Sequence, residues 1–217
     1  MPQVSGTLSA NLAPLLLLSL IFFLNFVSRI SLSPLAPEIE TSLGLTHLQS
    51  GSLFFVLSTG YFTGLLGAGW LVARIPHRRA VFFSSLILAV ALIGSITANS
   101  LGSLRLLLFL VGIATGIYLP SGIAIISNLV EPRHLGKAYA VHELAPNLAL
   151  VAAPLLAEAV MIWFSWKAVL ILIGFAMLGA AFGFIRFGRG GDFTGRAPGM
   201  EAFRDFFIDP AFWIMTM

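Results

Sequence analysis

Gly69-Trp70-Leu71-Val72-Ala73-Arg74-Ile75-Pro76-His77-Arg78-Arg79 is a short basic turn set between two long apolar stretches. Its clustered arginines and central proline cannot continue an apolar helix. Basic residues close to helix ends are held on the cytoplasmic side of a bilayer. The turn therefore reads as a cytoplasmic loop between two membrane helices, and it orients the chain on either side.

The composition agrees with that reading. Of 217 residues, 58% are hydrophobic and 10% charged, with a mean hydropathy of +0.97, whereas a soluble domain carries about a quarter charged residues. The absence of cysteine excludes a disulfide framework, a thiolate metal site and a cysteine nucleophile. The formal charge of +3 comes from arginines scattered over short loops, a topology signal rather than a nucleic-acid surface. His47, His77, His134 and His142 are too dispersed to form a metal constellation, and no glycine-rich phosphate loop occurs, so neither metal nor cofactor is expected. No Lys or Arg precedes the first apolar stretch, Leu12 to Val27, which marks it as a permanent span rather than a cleaved signal peptide.

A spanning helix needs roughly 20 mostly apolar residues. Six segments qualify, at about 12–33, 49–73, 80–98, 103–128, 137–160 and 165–187. The expected fold is an all-α membrane protein, a six-transmembrane-helix bundle over residues 1–187 lying in the lipid bilayer of the cell membrane. The joins after the second, fourth and sixth helices hold most of the basic residues, which places the N-terminus and loops 74–79 and 131–137 in the cytoplasm. Arg105 and Lys167 fall on the opposite side. Trp163 and Trp166 suit the interfacial aromatic belt.

Residues 188–207 read as a cytoplasmic linker, and 208–217 as the truncated start of a seventh helix, because the apolar run from Pro210 to Met217 is far short of a span. A short interfacial tail is the other reading of that run.

Polar groups inside the spans carry the functional information, since a charge at mid-bilayer costs roughly 2.5–3.5 kcal/mol on insertion scales. Asn25 and Arg29 are four apart and share a face of the first helix. A guanidinium there could bind a carboxylate or phosphate bidentately across a central cavity, or it could snorkel to the outer interface. In the fifth span His142 and Glu143 are adjacent ionisable groups, suited to carrying a proton or to making structural hydrogen bonds. Asn147 shares the Glu143 face. Tyr61, and Tyr118 with Ser121, could line a cavity or pack in the core. Pro146 and Pro154 should bend the fifth helix. Gly60 with Gly64, and Gly112 with Gly116, are Gly-x-x-x-Gly pairs that permit close helix contact.

The chain resembles the N-terminal half of a major facilitator superfamily transporter. That family's loop signature is Gly, three residues, Asp, Arg or Lys, any residue, Gly, and two basic residues. Gly69, Arg74 and Arg78 match it, while Ala73 stands for the acid, Pro76 for the second glycine and His77 for the first of the paired basics. Arg105 followed by Gly112 and Gly116 resembles the fourth-helix pattern, and Arg133-His134-Leu135-Gly136-Lys137-Ala138 resembles the loop entering helix 5. Pro154 falls where that helix often carries a proline motif, and Trp166-Lys167 is similar to the Trp-Arg pair opening helix 6. The resemblance covers essentially the whole chain.

It implies one six-helix bundle built from inverted three-helix repeats, a missing C-terminal six-helix half, and a small-molecule substrate held near the midplane during alternating access. Arg29 with Ser31, Leu32 and a proline segment resembles the first-helix arginine of organic anion and organophosphate transporters. His142 lies near a histidine of phosphate-ester exchangers, whereas Glu143 departs from them and points to a coupling proton. The expected function is thus secondary active transport of a small solute, with an anion as the class that Arg29 points to. Arg29, Asn25, Tyr61, Tyr118 and His142 are the candidate substrate residues, Glu143 and His142 the proton groups, and Gly69, Arg74, Arg78 and Arg79 the gating loop. Ala73 puts the loop's usual charge interactions in doubt. Two rivals are a non-transporting scaffold or fragment, and an intramembrane serine hydrolase pairing Ser121 with His142. The second lacks the Gly-x-Ser motif, since Leu119 takes the glycine position.

Overall fold

The computed structural model describes residues 11–197 and 199; the expected linker end at 200–207 and the expected seventh-helix start at 208–217 lie outside the described residues. Among the described residues seven α-helices follow in order: α1 (Leu12–Ile30), α2 (Leu32–Leu43), α3 (His47–Val72), α4 (His77–Ile93), α5 (Leu101–Leu129), α6 (Leu135–Met161) and α7 (Trp166–Phe187). Short 3-10 turns, Gly94–Thr97 and Pro132–His134, end α4 and precede α6. Six of the helical stretches are long and apolar enough to cross a membrane, α1 and α2 counting as one, Leu12–Leu43.

The stretch from Pro34 onward, which reads as a join in the sequence, is instead mostly helical. Ser31 keeps right-handed helical angles, and the Leu35 N–H bonds to its carbonyl at 3.2 Å, so the chain passes from α1 into α2 with only a local break. Pro34 and Pro37 each lack an N–H and together account for that break. Gly44, at φ +62°, ends α2, and the Leu45 N–H closes on the Glu40 carbonyl. α3 and α5 each begin two residues before their expected starts, because Thr46 with Gln49 and Ser100 with Ser103 form reciprocal capping boxes.

The packing order is α3 on α5, α5 on α4, α4 on α7, α7 on α1 and α1 on α6. Exchanging the first three spans with the last three maps the α1–α6 contact onto α5–α3 and keeps α4 paired with α7. The two Gly-x-x-x-Gly pairs meet each other. A Cβ on Gly60 or Gly64 would strike the backbone of Phe109 or Ile113, and one on Gly112 or Gly116 would strike the carbonyls of Leu57 or Tyr61. α6 turns Ala138, His142, Ala145, Ala149, Ala153 and Ala157 inward, a stripe of small residues interrupted by a single histidine.

The two basic residues on the far side from the Gly69–Arg79 turn are held locally. Arg105 Nη2 donates to Ser52 Oγ at 2.7 Å, and Lys167 Nζ donates to Asn99 Oδ1 at 2.7 Å. Trp163 is exposed as expected, but Trp166 is buried: its Nε1–H donates to Ser42 Oγ at 2.8 Å, so it pins α7 to α2 instead of sitting in an aromatic belt.

Candidate functional site

Arg29 is the penultimate residue of α1, with its guanidinium 4.3 Å from the Phe26 ring centre and 4.6 Å from that of Tyr61 on α3. Tyr61 is about 21 Å along α3 from His47 and about 17 Å from Val72 at 1.5 Å per residue. That contact sets the guanidinium level with the middle of α3. Two electron-rich ring faces stabilise the cation there. No carboxylate lies within 4 Å of it among the described residues, and its buried Nε has no hydrogen-bond partner. Asn25, one turn below on the same helix, is 3% exposed.

A second cluster lies about 10 Å further toward the start of α1, two turns away at the helical rise. Phe22 stacks on the His142 ring with centres 4.1 Å apart. Tyr118 donates its hydroxyl proton to the Leu18 carbonyl at 2.8 Å and lies 3.1 Å from His142 Nε2. On the other side of the ring, His142 Nδ1 is 3.3 Å from Glu143 Oε1. His142 is fully buried, while the Glu143 side chain is 56% exposed. Asn147 donates to the Glu143 backbone carbonyl at 2.8 Å and continues the exposed polar face.

The structure thus brings together Arg29 and Tyr61 in one layer and Tyr118, His142 and Glu143 in another. Phe22 and Phe26, ring centres 5.0 Å apart on α1, bridge the two layers. This aromatic link escapes a search for polar residues. Its only sequence signal is the i, i+4 spacing of two phenylalanines below Arg29. Ser121 does not pair with His142: its hydroxyl lies 3.3 Å from His77 Nδ1. The Ser121–His142 dyad that an intramembrane hydrolase would need is therefore not formed.

The Gly69–Arg79 turn is engaged by the segment following α7. The His77 and Arg78 N–H groups, orphan donors at the start of α4, donate to the carbonyls of Phe193 (3.1 Å) and Gly191 (2.9 Å). Gly195 N–H donates to the Val72 carbonyl at 2.8 Å. Gly190 and Gly191 have φ of +79° and +83°, and a Cβ on Gly191 would also strike Ile125, so this strap, residues 188–195, needs glycine there. Arg78 donates through Nη2 to the Ile185 carbonyl at 2.9 Å, and its Nη1 lies 3.6 Å from Asp192 Oδ2. An acid from the strap therefore faces Arg78 in a turn that has Ala73 in the signature's acid position. Gly69 accepts the Ala73 N–H, closing α3, while Arg74 and Arg79 are exposed.

Comparison with known proteins fits this architecture. A family model described as Major Facilitator Superfamily matches residues 18–217. The probable sulfoacetate transporter SauU of Cupriavidus necator is 24% identical over 160 residues, covering 74% of this chain and 37% of the relative. The probable galactarate/D-glucarate transporter GudP of Bacillus subtilis is 27% identical over 168 residues, covering 74% and 36%. The chain spans little more than a third of the length of these two relatives. Among solved structures, a bacterial homolog of the human lysosomal transporter Spinster, inward-facing and unoccupied, superposes with a TM-score of 0.80 at 20% identity, covering 96% of this chain and 51% of that one.

Proposed function

We propose that this chain, which belongs to the major facilitator superfamily, supplies one six-helix half of a secondary active transporter for a small organic anion. The observation that carries this reading is Arg29: a cation at mid-span, held between Phe26 and Tyr61, with no carboxylate within 4 Å among the described residues. A charge at that depth is costly unless it meets a counter-charge, and a guanidinium presents a planar fork that matches a carboxylate or sulfonate. The relatives named for sulfoacetate and for galactarate or glucarate support an organic acid as that counter-charge.

In this reading Asn25 and Tyr61 line the anion site with Arg29. His142 and Glu143 carry the coupling proton from a position behind Phe22. Substrate binding and proton binding then meet through the Phe22–Phe26 pair rather than at one point. The partner is a second six-helix bundle, and alternating access arises from the two bundles rocking about the site. The Gly69–Arg79 turn faces the cytoplasm, where exposed Arg74 and Arg79 are available to close against that partner and Arg78 is already engaged by the strap.

Uptake of sulfoacetate and of D-glucarate into proteoliposomes tests the proposal. Accumulation that a neutral sugar does not compete away supports it. Transport of neutral sugars with no uptake of either anion would sink it.

A further inference from the structure

We infer that Tyr118 is a positioning residue for the proton carrier: it sets which nitrogen of His142 bears a hydrogen and leaves the His142–Glu143 pair one exchangeable proton. The inference rests on the reading above, in which that pair carries the coupled proton. Its argument is a count of hydrogens. A backbone carbonyl has none, so the 2.8 Å contact from Tyr118 to the Leu18 oxygen uses the single hydroxyl proton. Toward His142 Nε2, 3.1 Å away, Tyr118 then offers only a lone pair, and Nε2 must be the donor.

With Nε2–H fixed, what remains is Nδ1 facing Glu143 Oε1 at 3.3 Å. One proton between these atoms makes a hydrogen bond, and none sets a nitrogen lone pair against a carboxylate. The occupied pair has two forms. In one, Glu143 is a carboxylic acid donating to a neutral imidazole. In the other, the O–H bond has broken with its electrons left on Oε1, and the Nδ1 lone pair has taken the proton, giving imidazolium and carboxylate. The net charge is zero in both. Release of the proton leaves a neutral Nε2–H imidazole beside a carboxylate, a net charge of minus one.

The port is Glu143, whose side chain is more than half exposed while His142 is fully buried. Among the described residues, the other elements packed on α6 set no competing charge against the ring, and Arg133 and His134, in the turn before α6, are two turns or more from His142 along the chain. α1 presents Phe22 and the Leu18 carbonyl, and its one cation, Arg29, is two turns away. α5 presents Tyr118. Glu38 and Glu40 on α2 and Lys167 and Arg186 on α7 lie near the ends of their spans.

Nitrogen-15 NMR of histidine-labelled protein in lipid bilayers reads the assignment directly, with the His142 signals identified by their loss in His142→Gln. The expected spectrum has Nε2 protonated in both the proton-loaded and proton-free states, and Tyr118→Phe, which keeps the ring and removes the hydroxyl, introduces the Nδ1–H tautomer. A bare Nε2 in the wild type overturns the assignment without any variant having to fold, and so does a Tyr118→Phe spectrum identical to wild type. In proteoliposomes Tyr118→Phe should alter the pH profile of anion uptake. Uptake by the wild type that does not vary with pH would overturn the underlying proton reading, a failure distinct from a misassigned tautomer.

Discussion

The guanidinium of Arg29 lies 4.6 Å from the centre of the Tyr61 ring, and this contact between α1 and α3 fixes the depth of the charge in the bundle. Position along α1 alone leaves Arg29 close to the helix end, where it could snorkel to water. Contact with a residue midway along a 26-residue helix sets the guanidinium level with the middle of α3 instead. The same contact gives Tyr61 a role its hydroxyl does not need to play.

Tyr61→Phe should therefore keep anion binding near wild type, because the ring face is preserved. Tyr61→Leu should weaken it by about 2- to 30-fold, the equivalent of a cation–π contact of roughly 0.5–2 kcal/mol. Equilibrium binding of sulfoacetate or D-glucarate to the two variants checks this. Equal losses in both would assign the effect to the hydroxyl instead.

The glycine contact between α3 and α5 predicts a purely structural defect. Gly112→Val places side-chain atoms against the Leu57 carbonyl and the Tyr61 N–H, so the two helices must separate. Overpacking of this kind costs about 1–3 kcal/mol, and thermal unfolding of the detergent-solubilised protein should show a clear drop. Gly67→Val, on the facing helix α3 with open space around it, is the control and should melt near wild type.

Two substitutions in the strap separate its backbone from its charge. Gly191→Ala should destabilise by about 1–2 kcal/mol, because alanine must adopt the left-handed conformation, and the clash with Ile125 adds to that. Asp192→Asn should cost at most about 1 kcal/mol, since the carboxylate is 74% exposed and screened by water. Unfolding midpoints in that order support a strap held mainly through its backbone. The reverse order would make the Arg78–Asp192 pair the main fastening.

Much of this architecture was legible in the chain because bilayer insertion imposes long apolar runs with charged joins. The six spans and the basic turn at Arg74 to Arg79 follow from that constraint. The continuation of the first span through Pro34 and Pro37 was not legible, since two prolines and two glutamates signal a loop locally while packing keeps the backbone helical. Trp166 misled for a similar reason: position near a turn suggests an interfacial residue, but the hydrogen bond to Ser42 depends on α2 being there. At the candidate site, Arg29, His142 and Glu143 stood out as ionisable groups in apolar helices. Their grouping into two layers did not, because it depends on which helices touch, and the phenylalanines between the layers look like ordinary core.

Sidedness can be read with little preparation, because the chain contains no cysteine. Single cysteines at Arg74 and at Asn99 should be labelled from opposite faces by a membrane-impermeant maleimide in right-side-out vesicles. The Asn99 site should react from outside, and the Arg74 site only after permeabilisation. Labelling of Arg74→Cys in sealed vesicles would invert the orientation assigned from the basic loops.

The central claim is that Arg29 is the counter-charge for an organic anion, and it is tested most directly by titrating sulfoacetate and D-glucarate into wild-type, Arg29→Lys and Arg29→Gln protein. The account predicts saturable binding of at least one anion to the wild type and partial retention in Arg29→Lys, which keeps the charge and loses the fork. It predicts a loss of about 30-fold or more in Arg29→Gln, as expected when one member of a buried charge pair is removed at a cost of roughly 2–5 kcal/mol. Equal affinity in wild type and Arg29→Gln, or no binding of either anion to the wild type, would contradict it.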